Sequence, residues 1–254
     1  MSTAELVGLI PAAGRARRLA GLPLSKELLP VGVREAPPAG TGGASVRIGC
    51  DSLLEALAVA KAARAYVVLR DEKLDLARYL GAGEAFGVPL AHLCLRDSAS
   101  LPESLDRAHP FVAGSRVALG FPDVQLGPVD AIARVADRQS ETGADLVLGL
   151  FPTERPQTTD MVDVDDGGRV RRLEVRPART ALRLCWVVAV WGPAFGEHLH
   201  RTVAAAPKGG AELQIGEVVA GAVSGGLDVR AVEIPGGWFR DVGSPADLAA
   251  AWRR

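Results

Sequence analysis

The sequence predicts an α/β sandwich. Short β-branched runs alternate with longer stretches of helical period, and a chain of 254 residues can bury one large core. Residues 145–151 (DLVLGLF) read as a buried strand, its apolar residues continuous rather than alternating, as in a sheet covered on both faces. No internal repeat, heptad pattern or second core with its own linker interrupts the chain, so a single domain over 1–254 is expected.

A first strand is expected at 6–11, followed by a long loop rich in Gly and Arg to about Gly32. Residues 34–45 (REAPPAGTGGAS) offer almost nothing to bury and read as a mobile surface loop. A helix over 51–63 places Leu53, Leu54 and Leu57 on one face, and strands follow at 66–70, near 89–95 and at 115–119. The segment 128–141 reads as a helix, with Val129, Ile132, Ala133 and Ala136 at helical spacing. Segments 160–165 and 169–175, joined by Asp166-Gly167-Gly168, carry a hairpin signal. A buried strand at 183–191, helices at 194–205 and 212–224, and a strand at 229–234 complete the alternation. Ser244-Pro245-Ala246-Asp247 then supplies a capping hydroxyl, a proline at the first helical position and an acid three residues past the cap, opening a short helix to Trp252.

Charge and composition narrow the function classes. Lys and Arg number 29 against 30 Asp and Glu, and a net charge of −1 argues against a nucleic-acid or anionic-membrane binder, which needs a basic surplus. Aromatic residues make up only 5%, leaving few platforms for stacking bases. Three widely spaced cysteines, Cys50, Cys94 and Cys185, make neither a disulfide framework nor a zinc ribbon, so a cytoplasmic location is expected. No apolar run reaches the roughly 20 residues of a membrane span, and Glu5 before a short apolar patch ending at Pro11 reads as a strand rather than a secretory signal.

Three segments can carry chemistry. After the first strand, Ala12-Ala13-Gly14-Arg15-Ala16-Arg17-Arg18-Leu19 and Ser25-Lys26-Glu27-Leu28-Leu29-Pro30-Val31 bring glycine, arginine and lysine together. Such a loop lets backbone N–H groups approach an anion and cations neutralise it, although a solvated basic loop would look the same. It is neither a Walker loop nor a complete dinucleotide fingerprint, Ala16 standing where a second glycine would. Leu119-Gly120-Phe121-Pro122-Asp123 and Trp238-Phe239-Arg240-Asp241 each end a strand near a carboxylate. Strand ends on one sheet edge are where ligands bind, and two aspartates could hold Mg²⁺; singly, each reads rather as a turn former or helix cap, and only the combination favours a metal. His198-Leu199-His200 lies in a helix where alternate residues diverge, and reads as a solvated pair. Asp165-Asp166 beside glycines reads as a turn rather than the paired metal-binding acids of a glycosyltransferase.

In this order the motifs resemble the sugar-1-phosphate nucleotidyltransferases, typified by glucose-1-phosphate thymidylyltransferases. The likeness runs from Pro11-Ala12-Ala13-Gly14 through the Lys26 and Asp123 segments, 168–177 (GRVRRLEVRP) and 211–218 (AELQIGEV) to 238–248 (WFRDVGSPADL), nearly the whole chain. It implies a three-layer α/β/α, Rossmann-like fold with a mixed, mostly parallel central sheet. It also implies transfer of a nucleotidyl group from an NTP, dTTP or UTP favoured, to a sugar 1-phosphate, releasing pyrophosphate. By position, Arg18 would bind the triphosphate, Lys26 the attacking phosphate, and Asp123 and Asp241 Mg²⁺. Ala12, Ala13, Gly14, Arg15 and Gly120 would lie at the nucleotide, and Glu174 and Arg176 at the sugar phosphate. No catalytic Ser, His or Cys is needed, because positioning and charge neutralisation carry such transfers.

Four departures accompany the likeness. Ala16 and Arg17 replace a glycine and a small hydroxyl residue of the family loop, and residues 98–108 (SASLPESLDRA) stand where a glycine-rich base-contacting stretch would be. Arg176 replaces a lysine, in a chain whose only lysines are Lys26, Lys61, Lys73 and Lys208. The chain ends soon after its last capped helix, so neither a β-helix nor an allosteric extension is expected. Two alternatives stay open: a nucleotidyltransferase acting on a cyclitol or other small alcohol phosphate, and an inactive nucleotide-binding regulator. Nucleic acid and membrane are not expected partners, and self-association is left open.

Overall fold

The structure, a computed structural model, describes residues 4–15, 19, 21–34, 45–207 and 209–252. In chain order its strands are β1 (Leu6–Ala12), β2 (Pro30–Arg34), β3 (Ser45–Ile48), β4 (Arg64–Arg70), β5 (Leu90–Leu95), β6 (Arg116–Leu119) and β7 (Val124–Gly127). They continue with β8 (Leu146–Pro152), β9 (Asp160–Val164), β10 (Val170–Val175), β11 (Leu184–Trp191), β12 (Val229–Glu233) and β13 (Trp238–Asp241). The helices are α1 (Asp51–Val59), α2 (Leu74–Leu80), α3 (Leu101–Asp106), α4 (His109–Val112), α5 (Ala131–Thr142), α6 (Pro193–Ala205), α7 (Ile215–Ser224) and α8 (Pro245–Ala251).

Nine strands form the central sheet. Its main path is β10-β9-β11-β6-β1-β4-β5, with β8 pairing both β11 and β12. β6, β1, β4 and β5 run parallel, as do β8 and β12. β11 runs against β6, β8 and β9, and β10 against β9, so only these two strands point the other way. The expected mixed, mostly parallel sheet is therefore present. Two small antiparallel ladders, β2–β3 and β7–β13, lie outside it.

Helices cover both faces, which is why the strands read as continuous apolar runs. On one face Leu53, Leu57, Leu76, Ile132 and Val135 from α1, α2 and α5 pack against Ile10, Val67, Leu69, Val147 and Phe151. On the other, Leu105, Phe195, Leu199 and Val218 from α3, α6 and α7 pack against Val7, Leu9, Val68, Leu119 and Leu148. Each such side chain contributes about 1.5–3 kcal/mol by leaving water, so the sheet is held from both sides.

Local chemistry sets the element ends. α1 stops at Val59 rather than 63 because Lys61 turns to a φ of 55°, with Ala62 N–H donating back to Leu57 O at 3.0 Å. α5 starts at Ala131 rather than 128, leaving Val129 46% exposed instead of on the apolar face. α7 starts at Ile215, where Gln214 and Glu217 form a capping box. The Ser244 hydroxyl accepts from Asp247 N–H as its sequence position implies. The hairpin β9–β10 also forms: Asp165 Oδ1 accepts from Gly167 and Arg169 N–H, both at 2.9 Å, so the Asp165-Asp166 pair is a turn. Most of the 34–45 loop lies outside the described residues, but its ends are not loop: Arg34 and Ser45 pair across β2–β3.

Candidate active site

The parallel strands empty onto one sheet edge. Ala12 pairs with Leu69 and Leu9 with Leu119, so β1, β4 and β6 end side by side. The loop after Ala12, the segment beyond Arg70 and the turn Gly120–Asp123 all leave there, which is where an open α/β sheet binds ligands.

Asp123 and Asp241 meet across the β7–β13 ladder. Asp241 is paired with Val124, and Val242 N–H donates to Asp123 O at 3.0 Å. Trp238 closes the other end of this ladder over Gly127, where an added Cβ would come within 2.5 Å of the indole Nε1, so only glycine allows the approach. Asp241 Oδ1 accepts from Gly243 N–H at 2.6 Å, which orients the carboxylate.

Lys26 rises from a single 3₁₀ turn, Lys26–Leu28, and its ammonium donates to Asp123 Oδ2. Side-chain exposures of 14% and 18% put this pair among partly buried contacts rather than surface ones. Burial works against the ammonium, but Asp123, with smaller pulls from Glu27 and Asp241, outweighs it and holds Lys26 above the usual lysine range. Lys26 is therefore charged at neutral pH.

A cleft of about 430 Å³ opens beside these residues. Phe121, Trp186 and Phe239 give it aromatic walls, Phe121 and Trp186 lying 6.0 Å apart between ring centroids. Arg176 and Asp241 also line it, and Arg176 holds a φ of 43°, a strained conformation of the kind found at ligand clamps. Asp160 lines the cleft from β9 with 9% exposure; burial raises its carboxyl above the usual range despite Arg176 nearby. Trp186 and Asp160 were not singled out from the sequence. A charged residue opening a buried strand was the available sign for Asp160, and none marked Trp186 beyond the run of 183–191.

The remaining expected residues divide. Ala12 and Ala13 are buried at the mouth of β1, and Ala13 O accepts from Arg70 Nε at 2.6 Å. Arg70, 3% exposed, also reaches the carbonyls of Arg96 and Ser98 at 3.2 and 3.3 Å, so this arginine at the end of a buried strand ties the two loops together. Arg15 pairs with Asp97 at 3.1 Å, and an added Cβ on Gly14 would meet open space. Gly120 packs under α1, where a Cβ would lie 2.3 Å from Leu53 Cδ1. Glu174 does not line the cleft; its carboxylate takes Arg172 at 2.9 Å. Arg18, with Ala16 and Arg17, lies outside the described residues. The segment 98–108 forms α3, capped by Ser100, and its Leu101 lines the cleft. His198 and His200 do diverge, and each is also bonded within the protein, to Val218 O at 3.0 Å and Asp106 at 2.8 Å.

Asp123 and Asp241 are carboxylates, the donor type a hard divalent cation takes. Among the described residues no three His, Cys, Asp or Glu side chains gather into a self-sufficient metal site, so such a cation would share its shell with substrate phosphates, the usual habit of Mg²⁺.

No family profile matches the chain. It is 25% identical over 182 residues to the low-salt glycan biosynthesis nucleotidyltransferase of Haloferax volcanii, covering 70% of this chain and 48% of that protein. It is 26% identical over 197 residues to the glucose-1-phosphate thymidylyltransferase of Streptomyces antibioticus, covering 77% and 54%. The chain thus spans about half the length of the curated relatives it matches. A Bacillus anthracis protein described as a glucose-1-phosphate thymidylyltransferase, solved with sucrose, superposes with a TM-score of 0.81 at 18% identity, covering 97% of this chain and 93% of that one. A UDP-glucose pyrophosphorylase solved with UDP-glucose gives 0.78 at 14% identity, with 97% of both chains covered. At these identities the structural likeness is one of fold. The curated relatives this chain is similar to are nucleotidyltransferases by name. Among the described residues no helix is long and apolar enough to cross a membrane.

Proposed function

We propose that the chain transfers a nucleotidyl group from an NTP to a sugar 1-phosphate. An oxygen of the acceptor phosphate attacks the α-phosphorus, the bond to the β-phosphate breaks, and an NDP-sugar and pyrophosphate form. The observation that carries this reading is the junction of Lys26 and Asp241 at Asp123, beside a cleft large enough for a small ligand.

Lys26 places a permanent positive charge where the acceptor phosphate would enter, countering repulsion between two anions. Arg176 adds a second cation on the cleft wall, as a planar fork suited to phosphate oxygens. The aromatic walls suit the apolar faces of a sugar ring, and the hydroxyls of Thr153 and Thr159 in the same lining suit its hydroxyl groups. On the nucleotide side, the loop 12–15 is held by Arg70, and Arg18 belongs there by resemblance. Asp123 and Asp241 would hold Mg²⁺, which supplies charge neutralisation and templating on phosphate oxygens when bound. The preference for dTTP or UTP, like the identity of the sugar, rests on resemblance to the relatives.

Pyrophosphate release, measured with each of five NTPs against sugar 1-phosphates and other alcohol phosphates, tests this reading. Turnover with a sugar 1-phosphate is expected. Turnover only with a cyclitol or other alcohol phosphate would move the acceptor class, and Mg²⁺–NTP binding without any product would favour a regulator.

A further inference from the structure

The turn that carries Lys26 cannot hold its own shape. It is one 3₁₀ turn long, with Leu28 N–H to Ser25 O at 2.9 Å and Leu29 N–H to Lys26 O at 3.1 Å as its local bonds. The residues on either side of Lys26 are instead gripped by one short segment some fifty positions away. Ser25 donates its main-chain N–H and its hydroxyl to the two carboxylate oxygens of Asp75, both at 2.6 Å. Glu27, 1% exposed, accepts from Lys73 at 2.7 Å. The Glu27 carbonyl further accepts from Cys50 N–H at 3.0 Å, at the start of α1. Neither Lys73 nor Asp75 lines the cleft, and each bonds a residue on the turn's flanks.

We propose that Asp75 and Lys73 are positioning residues for Lys26. A lysine side chain has four rotatable carbons, so its ammonium reaches Asp123 reproducibly only if the main chain beneath it is fixed. Charge-assisted bonds on both neighbours do that without engaging the Lys26 ammonium. The kinetic consequence rests on the nucleotidyltransferase reading; the geometric consequence does not.

The test uses Asp75→Ala, Asp75→Asn and Ser25→Ala. Asn can still accept from Ser25 N–H and donate to its hydroxyl, whereas Ala does neither. Each protein is treated briefly with acetic anhydride, and acetylation of Lys26 is read by peptide mass against Lys61, an exposed lysine in the same tube. In Asp75→Ala the Lys26 to Lys61 ratio is expected to rise several-fold, with Ser25→Ala shifted less in the same direction and Asp75→Asn close to wild type. In parallel, kcat/KM for the acceptor phosphate should fall about tenfold in Asp75→Ala while the KM for the nucleotide stays within about twofold. A wild-type acetylation ratio in both Asp75→Ala and Ser25→Ala overturns the proposal, even if Asp75→Ala is less stable. A changed ratio in a protein with no turnover on any acceptor leaves the positioning role standing and removes the nucleotidyltransferase reading.

Discussion

Asp123 and Asp241 come from separate strand ends, yet the β7–β13 ladder seats them as neighbours: Asp241 opposite Val124, with Val242 bonded to the Asp123 carbonyl at 3.0 Å. Their main chains are brought together by ladder pairing, while their side chains carry the ion pair to Lys26 and the bond from Gly243 N–H.

Asp123→Asn and Asp241→Asn should therefore each lower turnover by about 10²–10³-fold, the loss typical of removing one preorganised electrostatic group. The fold should persist, because the ladder bonds are between main-chain groups, with Asp123→Asn the less stable of the two because it leaves the Lys26 ammonium without its carboxylate. Steady-state kinetics with calorimetry checks both, and wild-type rates in either variant would remove the cation assignment.

Lys26→Ala should raise the KM for the acceptor phosphate or lower kcat, with a smaller effect on nucleotide affinity. The cation is held at Asp123, whereas the nucleotide loop is held separately through Arg70. Equal losses toward both substrates, measured by titrating each at saturation of the other, would contradict this division.

The Asp75 carboxyl gives a pH signature. Desolvation is the largest single influence and raises its pKa, but the two bonds from Ser25 and those from the main chain of Leu76 and Asp75 together outweigh it and hold the carboxyl below the usual range. A group whose folded pKa is depressed stabilises the fold fully above its unfolded pKa, near 3.9, and loses that contribution as pH falls through the lower folded value. The stability gap between wild type and Asp75→Asn should thus be constant from about pH 7 to pH 5 and close below pH 4, as thermal melts across that range would reveal. A gap that widens with acid would show the sign to be wrong.

Gly120→Ala probes how packing positions the site. The added Cβ would press on Leu53, which is fully buried, so the methyl group must displace α1 or the turn toward Asp123. A loss of about 1–3 kcal/mol is expected in denaturant melts, together with reduced turnover if Asp123 moves. A variant as stable as wild type would mean that Leu53 repacks freely.

The order of motifs was readable because each is local. A strand that buries both faces must be apolar throughout, a capped helix announces its start at Ser244, and a cationic turn at Lys26 needs only neighbours in sequence. The relations that make a site are not local. Strand order decided that β1, β4 and β6 end together, ladder register decided that Asp241 lies beside Asp123, and packing decided that Gly120 serves Leu53. Lys73 and Asp75 carry no local motif, and only the fold turns them onto Glu27 and Ser25. Sequence alone determined which chemical groups the chain carries and which segments must be buried. Tertiary structure determined which of those groups meet, because hydrogen-bonded register and close packing act between residues that chain separation leaves unrelated.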